Sequence, residues 1–462
     1  MAENALTANR PSPNVAAPAL LRRLLGRAIL RPAFDWLALR IVGQVYLQVS
    51  RGWAAALASE GDSERFLGDS GLAAAGGRRG ERRLERAIAK ALAREAGYQR
   101  ALDAWDAGFF GAEDRAPEAL AALEQARRHA AHDLMAARAG FLPWFRTLSP
   151  VAWDLATPEE VEARHGARLE DLAAAFPAPN HVDIAVSRSM AGAAGSESWL
   201  RFTSPVLGDD LWAHVYDSPA GAGAPTAIFL HGIAMETEMW RSTPSVVSAL
   251  QARGFRVINT EGPWHGRRRP PGFYGGEPVL SRGLLGLLDL MQAWSAEIAA
   301  LIRWARAGGG PVVLVGVSLG ALTAQRAAGA SVHWPREARP DALLLVATSG
   351  ALFELASSGS LARQVGLGAR LREVGWDEAR LRRWLPLMEP ERRPPLAPER
   401  IVMTLGDHDD LTPFAGGLAL AEDWGLPPEN LFVRRQGHFS VALGVLNDPA
   451  PLDRLAALVR DL

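Results

Sequence analysis

The sequence predicts an α/β protein: a mostly parallel, doubly wound sheet, preceded by an all-helical N-terminal region and interrupted by a helical insertion near the sheet's C-terminal edge. Three observations carry this. From Thr226 onward, short runs of apolar and β-branched residues alternate with segments of helical period, the pattern of strands covered on both faces. The stretch Pro311–Ala328, PVVLVGVSLGALTAQRAA, reads as a buried strand, a tight turn and a helix opening at Ala321. Residues from Leu20 to Phe176 carry apolar positions at helical spacing with no strand-like alternation.

The first elements in chain order are helical. Residues 1–18, rich in Ala, Asn and Pro, are expected to be disordered. From Leu20, the residues Leu21, Leu24, Leu25, Ala28 and Ile29 share a face opposite Arg23, Arg27 and Arg31. Such a basic amphipathic helix suits an anionic membrane; the preferred reading is a helix packed on the protein body with its arginines in water. Phe34–Leu57 is more apolar, but Arg40, Gln44, Gln48 and Arg51 form a polar stripe. That stripe argues for a half-buried helix rather than a membrane span. Helices are expected at about 81–107 and 116–139, with Gly76–Gly80 as a loop before the first. A further helix runs from Pro158 to about Phe176, with Thr157 and Glu160 as a capping box. His129 and His132 are three apart, a spacing metals use, but no third ligand is near. The organisation expected is a tail (1–18), a helical region (19–179) and a sheet-containing unit (180–462).

Near residue 180 the period switches. Val182, Ile184 and Val186 alternate, followed by Trp199–Phe202 and Leu211–Tyr216, which read as antiparallel strands opening the sheet. Thr226–Leu230, Phe255–Thr260, Val312–Val315, Ala342–Thr348, Ile401–Leu405 and Leu431–Arg434 follow as strands, with helices at about 243–253, 283–307 and 452–461 between or after them. Residues 352–391 are helical in period, and Glu261–Arg282 is a long loop.

Composition narrows the chemistry. The chain has 462 residues, 48 % hydrophobic and 22 % charged, with a formal net charge of −1. That is an ordinary globular balance, with no electrostatic case for nucleic acid. It has no cysteine, which excludes disulfides, thiolate catalysis and cysteine-ligated metals. Lys90 is the single lysine beside many arginines, alanines and glycines, a bias expected of a GC-rich bacterial genome. No run of 18 apolar residues occurs and the start lacks the layout of a signal peptide, so a soluble, cytoplasmic protein is expected.

In a doubly wound sheet, reactive groups gather at the C-terminal ends of the strands. Four stretches fall there: His231-Gly232-Ile233, Ser318, the acidic turn Gly406-Asp407-His408-Asp409-Asp410-Leu411-Thr412-Pro413, and Gly437-His438. Ser318 sits in Gly316-Val317-Ser318-Leu319-Gly320, a turn too sharp for side chains at Gly316 and Gly320. Its hydroxyl would lie over the N-terminus of a helix, where a developing anion is favoured. A serine becomes a nucleophile when a histidine, held in one tautomer by a carboxylate, takes its proton. His438, the last histidine, is the candidate base, and the acidic turn offers the carboxylate.

The order Ser, Asp, His, with G-x-S-x-G on a strand–helix turn, resembles the α/β-hydrolase superfamily over about residues 180–462. The resemblance implies an α/β-hydrolase fold and specific roles. Gly406, Asp409 and Pro413 match its G-x-x-D-x-x-x-P acid turn, making Asp409 the acid, with Asp407 the runner-up. Gly437-His438 matches its terminal Gly-His. His231-Gly232 matches its oxyanion stretch, so the backbone N–H groups of Leu319 and Ile233 would form the oxyanion hole. The insertion at about 352–395 lies where this family carries a lid. Leu361, Val365, Leu371 and Trp376 would form its apolar underside, with Arg363, Arg370, Arg372 and Arg380 outside.

Glu261–Pro270 departs from the usual D-x-P-G-x-G of the superfamily. Its P-x-x-G-x-R-x-P pattern resembles the branch containing the mammalian α/β-hydrolase domain protein 18. Within it, Arg267, Arg268 and Arg269 suit a substrate carboxylate or phosphate; the preferred reading is structural pairing, with Glu277 or Glu261 as partners. His265 is assigned to packing.

The expectation is therefore a serine hydrolase acting on a small-molecule ester or thioester, without metal or organic cofactor. The alternatives are an acyltransferase or polyester-processing enzyme of the same fold, disfavoured because polyester synthases use a cysteine nucleophile, and a non-catalytic binding protein of the same fold. Oligomeric state is not legible.

Overall fold

The computed structural model describes residues 32–221, 223–235 and 246–462. The expected tail, the basic helix from Leu20 to Arg31 and the beginning of the helix at 243–253 lie outside the described residues.

The N-terminal region is helical. Pro32–Ile41 and Leu47–Ala58 join through a π-helical turn at Val42–Tyr46, so the predicted Phe34–Leu57 element is one helical run. Ser63–Ser70 is a helix not foreseen, capped by the Asp62 side chain, which accepts from the N–H groups of Glu64 and Arg65. Gly77–Phe110 and Pro117–Ala136 follow, then a 3₁₀ stretch, Ala137–Trp144, and Pro158–Glu170 with its capping box formed as expected. The Gly76–Gly80 loop is corrected: the 34-residue helix begins at Gly77. The cost of glycine inside a helix, about 1 kcal/mol each, is outweighed by a helix this long packed on its neighbours.

The sheet has ten strands: β1 Ala185–Val186, β2 Met190–Ala191, β3 Ser196–Thr203, β4 Asp210–Tyr216, β5 Thr226–Leu230, β6 Arg256–Thr260, β7 Val312–Val317, β8 Ala342–Val346, β9 Ile401–Gly406 and β10 Leu431–Arg434. Their order is β1-β3-β4-β6-β5-β7-β8-β9-β10, with β2 also on β3. Strands β1 to β4 pair antiparallel and β4 joins β6 antiparallel; β6, β5, β7, β8, β9 and β10 run parallel. In β5, β7, β8 and β9 every residue is buried. This is why these strands are continuous apolar runs, while β3, with partly exposed Ser196, Glu197 and Arg201, is mixed. Register brings Leu230 opposite Gly316 and Val346 opposite both Val317 and Thr404, so the ends carrying His231, Ser318 and the acidic turn lie side by side.

The helix Leu284–Arg306 is long and apolar enough to cross a membrane. Here it is the core helix, with Trp294, Ile298, Leu301 and Ile302 fully buried. One apolar cluster runs from Trp53, Phe66 and Phe141 of the N-terminal helices through Trp294 to Leu314 and Met403 of the sheet. The helices and the sheet therefore share a core. Burying each such large side chain favours the folded state by about 1.5–3 kcal/mol.

Buried charges bind the same two regions. Arg51, the inner end of the polar stripe, is buried and donates to both carboxylate oxygens of Glu277, at 3.2 and 3.1 Å. Glu277 also accepts from the N–H groups of Ala152 and Tyr274. The stripe is thus solvated only at its outer end, where Arg40 and Gln44 are exposed. Asp289, on the core helix, takes Arg164 at 2.8 Å and His165 at 3.0 Å from the helix Pro158–Glu170.

Candidate active site

The turn after β7 is shaped by close approach of backbone to backbone. A Cβ at Gly316 would stand 2.5 Å from the Gly320 carbonyl oxygen, and one at Gly320 would stand 2.1 Å from that of Leu230. Both contacts are impossible for any other residue. Ser318 itself has φ 54°, a conformation that costs a non-glycine residue of order 1–3 kcal/mol and persists only where the surroundings enforce it. Enforcement comes from its N–H on the Val346 carbonyl at 2.9 Å and from the helix Leu319–Ser331 that starts at once.

Ser318, Asp409 and His438 are all buried and meet at the end of the sheet. His438 Nε2 is 2.9 Å from Ser318 Oγ, and His438 Nδ1 is 2.8 Å from Asp409 Oδ2. The second carboxylate oxygen of Asp409 accepts from the N–H groups of Leu411 and Thr412, at 3.0 and 2.9 Å. Thr412 Oγ1 lies 2.7 Å from Asp409 Oδ2 and 3.1 Å from His438 Nδ1. Thr412 was missed in the sequence; its only signal was a hydroxyl directly before Pro413. The runner-up acid, Asp407, faces His408 instead, at 2.5 Å.

The charges are mutually adjusted. Burial pushes the Asp409 carboxyl up, but the His438 imidazole and the Thr412 donors outweigh it and hold it below the usual carboxylate range. Burial pulls His438 down, yet Asp409, with Asp35 and Asp410, more than offsets this and raises it above the ordinary histidine value. An imidazolium is therefore stabilised at the place where one would form during proton transfer.

Beside the serine lies the loop His231–Met235. A Cβ at Gly232 would touch Ser318 Cβ at 3.3 Å. Among the described residues, the backbone N–H groups of Ile233 and Leu319 donate to no acceptor. The loop is fixed by two buried histidines. His231 Nδ1 is 2.8 Å from the Gly232 carbonyl oxygen, and its Nε2 accepts from the Gly262 N–H at 3.0 Å. His265 Nε2 accepts from the Ala234 N–H at 3.1 Å, and its Nδ1 lies 2.9 Å from the Pro263 carbonyl oxygen. Burial and the neighbouring His231 hold His265 well below the ordinary histidine value, so it stays a neutral acceptor. Its role is wider than packing, since Ala234 has φ 56° and needs such a restraint.

The arginines follow the structural reading. Arg268 is buried between two carboxylates, Asp209 (2.9 Å, twofold) and Glu297 (2.7 and 2.9 Å). Arg267 pairs with Glu261 at 2.9 Å and lies 4.3 Å from the centre of the Trp212 ring. Arg269 approaches Glu95 and stacks over Trp53. Arg268 is held on both sides by carboxylates, and Arg267 is buried on Glu261 with Trp105 and Trp212 against its guanidinium, which supports a structural role for both. Glu261 is a partner, as weighed; Glu277 serves Arg51 instead.

The insertion folds as five short helices, Leu352–Ser358, Ser360–Val365, Leu367–Glu373, Glu378–Arg382 and Leu385–Met388. With the core helix it lines a cavity of about 140 Å³ whose wall includes Ser318, Ile233, Leu287, Leu322, Leu361 and Leu371. Leu361 and Leu371 thus face the serine as expected. Val365 and Trp376 are buried outside this wall, and Trp376 Nε1 donates to Ala156 of the N-terminal region at 2.8 Å. The four arginines are exposed.

Solved structures similar to this chain include acetyl xylan esterase 1 from Thermoanaerobacterium sp. JW/SL YS485, at 16 % identity, 65 % of this chain, 94 % of that chain and TM-score 0.44. An acetyl xylan esterase from Paenibacillus sp. R4 matches at 15 % identity, 66 % of this chain, 96 % of that one and TM-score 0.43. A cold-adapted esterase from an Arctic intertidal metagenomic library matches at 16 % identity, 59 % of this chain, 97 % of that one and TM-score 0.38. No curated protein matches the sequence. The model of the alpha/beta hydrolase family matches residues 227–460, from β5 to the last helix, and the chain belongs to that family.

Proposed function

We propose that the protein is a serine hydrolase that cleaves a carboxylic ester or thioester with an apolar acyl group, through an acyl-enzyme. The observation that carries this is the unbroken chain from Ser318 through His438 to Asp409 opening on an apolar cavity. Ser318 Oγ attacks the acyl carbon while His438 Nε2 takes its proton. The oxyanion is met by the N–H groups of Leu319 and Ile233. His438 then gives the proton to the leaving alcohol or thiol. Water, deprotonated by the same imidazole, attacks the acyl-enzyme, and its proton returns to Ser318 Oγ as the acid departs. Asp409 stays ionised, holding the Nδ1–H tautomer.

The cavity volume limits the acyl group. An apolar cavity of about 150 Å³ takes a benzene-sized guest, so a short to medium acyl chain fits without movement of the insertion. The insertion acts as a lid that keeps water from the carbonyl before attack. The Pro263–Pro270 stretch, with Gly266 and Arg268 in place, supports a position near the branch of α/β-hydrolase domain protein 18. Turnover of p-nitrophenyl butyrate by the parent and by Ser318→Ala tests the proposal: the variant should be inactive, and a variant as active as the parent overturns it.

A further inference from the structure

We infer that Asp35, from the N-terminal helical region, is a positioning residue for His438: its carboxylate caps the helix whose first residue is that histidine. This rests on the reading of His438 as the base. The helix is His438–Gly444, and the residue before it is Gly437, which has no side chain to serve as a cap. Asp35, about four hundred residues earlier in the chain, supplies one. Its Oδ1 accepts from the N–H groups of Phe439 (2.6 Å) and Ser440 (2.8 Å), and its Oδ2 accepts from the Gly437 N–H at 3.2 Å and from the Ser440 hydroxyl. The carboxylate is buried and lies in the first turn of its own helix, Pro32–Ile41.

The glycine of the Gly-His pair takes on a physical reason. Gly437 is extended, φ −94°, a conformation open to any residue. What excludes a side chain is space: a Cβ would stand 2.6 Å from Asp35 Cγ and 2.7 Å from its Cβ. Gly437 therefore makes room for a cap delivered from outside. The same N-terminal segment reaches the rest of the site. Tyr46 Oη lies 3.4 Å from the Ala234 carbonyl oxygen in the oxyanion loop and is held by Arg138 at 2.7 Å. Gly43 packs on Gln364 of the insertion.

Cap and charge act in one direction. Fixing Phe439 and Ser440 fixes the helix start and so the imidazole ring against Ser318. The charged groups acting on His438 are Asp409, Asp410 and Asp35, all negative, and each favours the imidazolium. The test uses the full-length protein with p-nitrophenyl butyrate. Losing a helix cap corresponds to roughly a two- to thirtyfold change, so Asp35→Ala should lower kcat/KM by about that factor with KM little altered. Asp35→Asn keeps an acceptor oxygen and the shape but removes the charge. Its loss should be smaller, and the acid limb of its kcat/KM profile should move to lower pH. Gly437→Ala, which displaces the carboxylate, should lower kcat as Asp35→Ala does. A role confined to folding stability would not move the acid limb. If Asp35→Asn keeps the parent's limb, the proposal is overturned, whatever Asp35→Ala does to folding. Ser318→Ala, run in parallel, separates the two claims. An active Ser318→Ala defeats the hydrolase reading; an inactive one beside a parent-like Asp35→Asn defeats this inference alone.

Discussion

The sheet edge that carries Ser318 and the N-terminal helical segment that carries Asp35 and Arg51 both hold the candidate site in place, but they are built by different physics. At the sheet edge, position comes from backbone: fully buried strands, glycines where an added Cβ would stand within 2.5 Å of a carbonyl oxygen, and a serine held at φ 54°. In the N-terminal segment, position comes from side-chain charge acting over long sequence distance: Asp35 on the His438 helix, Arg51 on Glu277, Arg164 on Asp289. The first construction is made by adjoining strands of one sheet. The second ties a separate region of the chain to the site, and breaking it should disturb geometry and stability before it abolishes chemistry.

The largest expected difference between the regions is in the chemical step. Asp409→Asn should lower kcat by roughly 10³–10⁴-fold, because the amide favours the wrong imidazole tautomer. Asp407→Asn, which touches only His408, should leave kcat within about twofold. Comparable losses in both would move the acid to Asp407. The N-terminal side should respond in stability instead. Arg51→Ala leaves the Glu277 carboxylate buried without its cation, a change that costs about 3–5 kcal/mol. Urea unfolding should show the drop; a shift below about 1 kcal/mol would mean that the junction is solvated in solution.

This contrast also explains what could be read from the chain. Ser318, Gly316 and Gly320 announce themselves because the strand–turn–helix pattern that carries them is written in one short stretch of chain. The continuous apolar runs of β5, β7, β8 and β9 are legible for the same reason, as is the Thr157–Glu160 box. The partners of Arg268 were not legible because an arginine triplet in a loop looks alike whether it faces solvent or two buried carboxylates; Asp209 and Glu297 lie too far along the chain to be assigned. Arg51 was read as the inner end of a polar stripe, with no sign of Glu277. Trp376 was placed on the cavity side of the insertion because periodicity identifies an apolar face but not which of two apolar neighbours receives it.

Smaller effects sharpen the picture of the cavity and the base. His438 is raised above the ordinary histidine value, and only its neutral form accepts the Ser318 proton. The acid limb of kcat/KM should therefore fall above pH 6.5, with activity lost as pH drops through it. In Asp409→Asn it should move down. A parent limb well below pH 6.5 would mean that the carboxylates do not act on His438. Acyl length should matter least per step. Each buried methylene offers about 0.8 kcal/mol, close to fourfold in kcat/KM, and the gain should stop once the cavity is filled. A flat profile from acetate to octanoate would contradict an apolar acyl pocket.

The central claim is that one serine, Ser318, becomes the acylated residue. The most direct measurement is labelling with a fluorophosphonate followed by peptide mapping. The account predicts a single phosphonylated residue, Ser318, in the peptide spanning β7 and the following helix, with esterase activity lost in proportion to labelling. Inactivation without modification of Ser318, or full activity with Ser318 modified, would contradict it.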